Sequence, residues 1–248
     1  MAKKKSKGNT GFRNDALFCF NCGRTLTGRE LIPLVSYLVQ LGRCRTCKSG
    51  ISLQYPLVEG LTGLLFALVA LTNPFGGWAL VLLLIGTAIL VAICVYDFRH
   101  KIIPDEFSAA LAVTAFLYTL LSFDWSLLWS LPNLWAILAG PIAALPIFLI
   151  WALTRGRGMG FGDVKLMFGL GWFLGPALAL SALFWAFFLG AIVSLFLILL
   201  ARLKIMGNQL TIKSEIPFAP YLILGFFIML LGGPDYLTLV NYLVNILL

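Results

Sequence analysis

Charge is scarce in this chain. Of 248 residues only 11% are Asp, Glu, Lys or Arg, against 60% hydrophobic, a balance that a soluble core of this size does not use. The shortage excludes an ordinary globular enzyme and implies a polytopic membrane protein. A cleavable signal peptide is missing too. Met1 to Phe18 is basic and polar, with Lys3, Lys4, Lys5, Lys7 and Arg13, and no apolar run follows it, so the amino terminus is expected to stay in the cytoplasm. Basic residues interleaved with exposed aromatics, the pattern of a nucleic-acid surface, are also absent. The net charge of +8 then reads as topological signal and attraction to anionic lipid, with the bilayer and not nucleic acid as partner.

Apolar segments stand at roughly 56–73, 78–96, 106–122, 134–153, two sharing 164–201, and 216–231, each near the ~17–25 residues that cross hydrocarbon. They predict an all-α polytopic membrane protein of about seven transmembrane helices. The tail from Tyr236 to Leu248 is apolar but short, an interfacial helix or a tilted extra span. All 18 Lys and Arg fall no later than Lys48, at 99–101, at 155–165 or at 202–213, whereas the loops around 73–77, 122–133, 175–176 and 232–235 have none. The positive-inside rule makes the basic side cytoplasmic.

Against this apolar background two acids stand out, Asp97 in V95-Y-D-F-R-H-K-I-I-P-D105 and Asp163 in G160-F-G-D-V-K165. Two crossings separate them, so both meet the same water boundary, at a depth where an ionisable group usually marks a pathway or a reaction site. Asp97 ends a helix, where the macrodipole disfavours negative charge. Asp163 can cap a helix starting at Val164, and Gly160 and Gly162 permit backbone angles that bring another group close to it. Asp105, followed by Glu106, fits an N-cap, and Pro104 pushes Ile103 toward an extended conformation. His100 reads as a surface group and Cys94 as a small buried apolar residue. Two neighbouring carboxylates do not easily ionise together. One then holds a proton while the other takes one from water, which is acid and base for peptide hydrolysis in a single pair. Paired acids also serve proton- or cation-coupled transporters, but those place them near the midplane between repeated halves. Here they lie at span ends and no internal repeat is found.

A different segment precedes the first span. Cys19-F-N-Cys22 and Cys44-R-T-Cys47 are separated by twenty-one residues, the spacing of a closed four-thiolate zinc site, structural and not catalytic because no position is left for water. Two disulfides are the alternative, disfavoured where glutathione keeps thiols reduced. Gly23 and Lys48-Ser49-Gly50 supply turns just beyond each pair. Between the pairs, residues 26–42 are too short and too interrupted by Pro33 to span and too apolar for water, so they lie on the membrane surface or cover the site. Glu30 reads either as a solvated acid beside Arg29 or as a group of a second activity.

These blocks together resemble the bacterial type IV prepilin leader peptidases, membrane aspartyl proteases of the GxGD class. The likeness runs from about Cys19 to at least Tyr221 and rests on the cysteine pairs flanking E30-L-I-P-L-V-S-Y, on Q54-Y-P-L-V-E59, and on the two aspartate segments. GxGD alone is four common residues, but four ordered blocks are specific. The resemblance implies catalysis by Asp97 and Asp163, supported by Gly160, Gly162, Lys165, Pro104 and Asp105. It implies removal of a short basic leader from prepilins and pseudopilins at the cytoplasmic face, just before their hydrophobic helix. It also implies methylation of the new amino terminus with S-adenosylmethionine, linked to the cysteine region and Glu30. Leu31 and Tyr37 replace a usual Asn and Trp, and the helix that typically precedes the first knuckle has no counterpart in residues 1–18. The expected organisation is a basic cytoplasmic segment 1–18, a zinc-binding region 19–55, a protease core 56–235 and the tail 236–248.

Overall fold

With little water around it, an apolar chain must satisfy its backbone hydrogen bonds internally, and helices do this within one segment. The computed structural model describes residues 18–19, 21–72, 76–121, 130–202, 217–236 and 238. The expectations for the basic segment ahead of Phe18, for most of the loops near 73–77, 122–133 and 202–213, and for most of the tail lie outside the described residues. Among the described residues the only regular elements longer than single bridges are helical. They form two units, Met1–Leu61 and Thr62–Leu248.

In the first unit a 3-10 turn, Gly28–Leu31, leads into one short helix, α1 (Val35–Val39). Pro33 prevents the two from fusing, because it has no amide to donate. Leu34, immediately after it, has a left-handed φ of 59°, and its N–H is held by the Glu59 carboxylate at 2.8 Å. Leu38, Val39 and Leu41 are exposed, the last by 85%, which suits residues 26–42 to a lipid surface better than to water.

The second unit takes most of α2 (Gln54–Thr72) and then α3 (Trp78–His100), α4 (Asp105–Leu121), α5 (Leu131–Thr154), α6 (Phe161–Leu174), α7 (Pro176–Arg202) and α8 (Ala219–Leu230). The expected break inside 164–201 falls at Gly175, left-handed at φ 77°, with Pro176 opening the next helix, the usual asymmetry of helix ends. Four helices, α2, α3, α5 and α7, are long and apolar enough to cross a bilayer. The count of seven spans is therefore not reached by length alone. α4, α6 and α8 have 17, 14 and 12 residues, and twelve residues rise only about 18 Å against hydrocarbon about 30 Å thick. α6 and α8 are mostly buried, so protein and not lipid surrounds much of their length.

α6 is the hub. Leu166, Met167 and Leu170 on it are fully buried, and it packs on α4, α5, α7 and α8. Its seat against α5 is close: a Cβ on Gly171 would come within 2.6 Å of the Ala139 carbonyl oxygen. α5 itself contains Pro141, which cannot donate to the carbonyl of Ile137 one turn back. The Trp172 indole of α6 donates to that carbonyl instead, at 2.9 Å.

Candidate active site

Three helix ends converge on one cavity of about 930 Å³. Asp97 lies one turn inside the carboxyl end of α3, which closes where left-handed Lys101 donates its N–H to the Asp97 carbonyl at 2.8 Å. Asp163 lies in the first turn of α6, after N-cap Gly160. Both side chains line the cavity, at 5% and 9% residue exposure, and they lie within electrostatic reach of one another. The Gly160 amide faces Asp163. The amide of Ala219, first residue of α8, faces Asp97, where a helix amino terminus favours a carboxylate. Asp97 Oδ2 is buried with no hydrogen-bond partner among the described residues, so one oxygen of the pair is free for a water or a substrate carbonyl.

The supporting residues divide by role. Gly160 has an ordinary φ of −73°, and a Cβ there would sit 3.5 Å from Asp163 Oδ2, in normal contact. Gly162 is the restrictive one: a Cβ on it would come within 3.1 Å of the Ile103 side chain. Its lack of a side chain lets α6 close on the segment that follows Asp97. Unusual backbone angles at either glycine are not part of the site. Pro104 precedes α4 and accepts from the Ser108 hydroxyl at 3.3 Å. Asp105 is the first helical residue rather than a cap, and its Oδ1 accepts from Lys165 Nζ at 2.7 Å. Lys165 Nζ also lies 5.2 Å over the Phe161 ring. His100 is exposed, with its ring against Tyr96, and Cys94 is half-buried in α3.

In the first unit Cys19, Cys22, Cys44 and Cys47 come together as free thiols, all four sulfurs within 4.8 Å of one another. The two knuckles share one backbone plan. In each, the first cysteine donates to the carbonyl five residues on (Arg24, Ser49) and accepts from the amide four residues on (Gly23, Lys48). The residue four on is left-handed in both, at φ 70° and 58°. Cys19 and Cys47 sulfurs are 3.8 Å apart, the edge of a tetrahedron whose centre lies about 2.3 Å from each sulfur. The donor set fits a metal ion. Ser49, whose hydroxyl lies 3.1 Å from the Cys47 sulfur, holds that thiol at about 5, favouring the thiolate that a metal takes.

Glu30 is not a solvated acid. It is 6% exposed and accepts from the Thr27 amide and hydroxyl at 2.9 and 3.0 Å and from Arg24 at 2.6 Å. Arg45 of the second knuckle lies 3.7 Å away, so Arg24 and Arg45, and not the sequence neighbour Arg29, are the cations at this acid among the described residues. Bonds from Thr27 and then Arg24 hold its carboxyl at about 2. Sequence reasoning missed four participants: Arg24, Arg45, Glu59 and the Ala219 amide. Pro220 in the first turn of α8 and the lone acid Glu59 in an apolar run were the signals that pointed to the last two.

A family model described as the type IV leader peptidase family matches residues 84–195, which include both aspartates. A second, the bacterial peptidase A24 N-terminal domain, matches residues 7–73 and so all four clustered cysteines. The prepilin leader peptidase/N-methyltransferase of Aeromonas hydrophila is 37% identical over 229 residues, 89% of this chain and 74% of that protein. The chain belongs to the type IV leader peptidase family. Proteins of the same name from Pseudomonas aeruginosa and Bacillus subtilis are 33% and 31% identical, each over 89% of this chain and over 72% and 83% of their own lengths. No solved structure matches. Membership in a peptidase family leaves the transporter reading without support. It also fits a multi-pass membrane protein whose two acids sit at helix ends and share a cavity.

Proposed function

We propose that this chain removes the leader from prepilins and pseudopilins at the cytoplasmic face of the membrane, with Asp97 and Asp163 as the catalytic pair. The observation that carries the reading is the shared cavity, which brings together two buried carboxylates from segments that a peptidase family model spans. One carboxylate takes a proton from a water as its oxygen adds to the scissile carbonyl carbon. The other gives its proton to the carbonyl oxygen. Collapse of the tetrahedral species then breaks the C–N bond: the departing amine takes up the proton the first carboxylate received, and one of the two hydroxyls returns its proton to the second carboxylate as the carbonyl re-forms, which restores the pair. The single proton belongs to the pair and not to either residue. The amides of Gly160 and Ala219 orient the two groups, and Gly162, Pro104 and the Asp105–Lys165 pair hold the helix ends that carry them. The basic loops set this end in the cytoplasm.

The four-cysteine site holds zinc in a closed, structural role. Methyl transfer from S-adenosylmethionine to the new amino terminus is the second activity, supported by the relatives' names. Glu30 serves it by tying the two knuckles together. Its carboxylate is saturated by donors, which leaves it no free oxygen to act as a base.

Purified protein in detergent, incubated with a prepilin and read by mass spectrometry, tests both activities. The native chain yields the cut product, while Asp97→Asn and Asp163→Asn fold and do not cut. Cleavage at native rate by either variant would remove it from the site. A product heavier by one methyl reports the second activity.

A further inference from the structure

Beside the aspartate cavity lies a second one, of about 560 Å³, between α4 and α5 with α6 as its floor. It forms because α4 and α5 each pack on α6 and scarcely on one another. Its walls are small or apolar: Ser108, Ala109 and Ala112 on one side, Pro141, Ala144 and Leu145 on the other. The Ser108 hydroxyl is turned back onto the Pro104 carbonyl, so it offers the groove no free donor. Three residues, Asp105, Phe161 and Lys165, line both cavities. The ion pair and the ring beneath Lys165 are thus the partition between an apolar groove and the two carboxylates.

We infer that this groove seats the first two turns of the substrate's own apolar helix and delivers the peptide bond ahead of it over the partition to Asp97 and Asp163. This deepens the proposed function and rests on it. From Asp105 to Ala112 the wall rises about 10 Å, two helical turns. Small wall residues suit a helix, whose backbone must come close, whereas a lipid chain has no need of them. Continuity with the aspartate cavity places the end of a docked helix where its extended amino-terminal side meets the carboxylates. The helix need never leave the apolar phase.

Two measurements on the full-length protein test this. Ala112→Phe, which fills the groove, raises KM for a membrane-inserted prepilin about tenfold with kcat held, the size of a lost helix contact. An unchanged KM would overturn the inference. Independently, a prepilin carrying photoreactive leucine in the first two turns of its helix is bound to Asp163→Asn protein and illuminated. Adducts are expected on 108–112 and 141–148. Adducts confined to lipid, to a second copy of the enzyme or to other helices would defeat the groove even if the native chain cuts prepilin normally. A native chain that never cuts prepilin would instead defeat the catalytic reading, whatever the adducts show.

Discussion

At the scale of the residue, the two motif glycines have different work. Gly160→Ala adds a methyl at an ordinary distance from Asp163 and at an ordinary φ, so cleavage should fall no more than about threefold, within the range of a tolerated contact. Gly162→Ala drives a methyl toward Ile103 and displaces the helix end carrying Asp163 relative to that carrying Asp97. Rate losses of about a hundredfold follow from misplacements near 1 Å. Single-turnover cleavage of the two variants should differ accordingly, and equal losses would show that the motif acts through something other than this close approach. Glu30 gives a prediction of opposite kind. Its carboxyl sits at about 2, below the ordinary carboxylate value of 4.5. Its contribution to folding is therefore complete above that ordinary value and is lost only as pH falls through about 2. Between about pH 5 and 9 it does not titrate, so the pH profile of methyl transfer should keep its shape in Glu30→Gln, with only its height reduced. A limb of the profile that vanishes in that variant would make Glu30 a base after all.

At the scale of the element, the bond from Trp172 to Ile137 exists because Pro141 leaves that carbonyl unpaired. Trp172→Phe should therefore cost about 1 kcal/mol of stability, and in a Pro141→Ala background, where an amide can return to the carbonyl, clearly less. Additive losses in the double-mutant cycle would refute the coupling. The elements were the most legible part of this chain. Apolar runs bounded by Pro104, Gly175 and Pro176 located α3, α4, α6 and α7 within a few residues, because those residues stop helices whatever the surroundings. Hydropathy did not reveal how short α6 and α8 are, since a helix enclosed by protein is as apolar as one in lipid. Contacts between distant segments were not legible either. Asp105 looked like a cap because Lys165, sixty residues on, leaves no local trace, and Glu30 looked solvated because Arg24 and Arg45 reach it only after both knuckles fold.

At the scale of the molecule, the sequence separated the chemistry into two places, four thiols early and two carboxylates later, because each set has its own spacing logic. The chain likewise forms two compact units, with the cysteines in one and the aspartates in the other. Metal loss should follow that division. Small thiolate sites contribute folding free energy directly, so a chelator or Cys44→Ser should unfold the first unit, where the other supports among the described residues are the Glu30 network, the Leu34–Glu59 bond, one short helix and turns. The second unit has its own continuous buried core, running from Val69 to Phe227. Proteolysis of the treated protein should cut readily within residues 19–50 and spare the helices after Trp78. Prepilin cleavage should survive while methyl transfer is lost. Simultaneous loss of both activities on chelation, with the helices still protected, would mean that the metal-bound segment completes the peptidase site, and the independence of the two units would have to be abandoned.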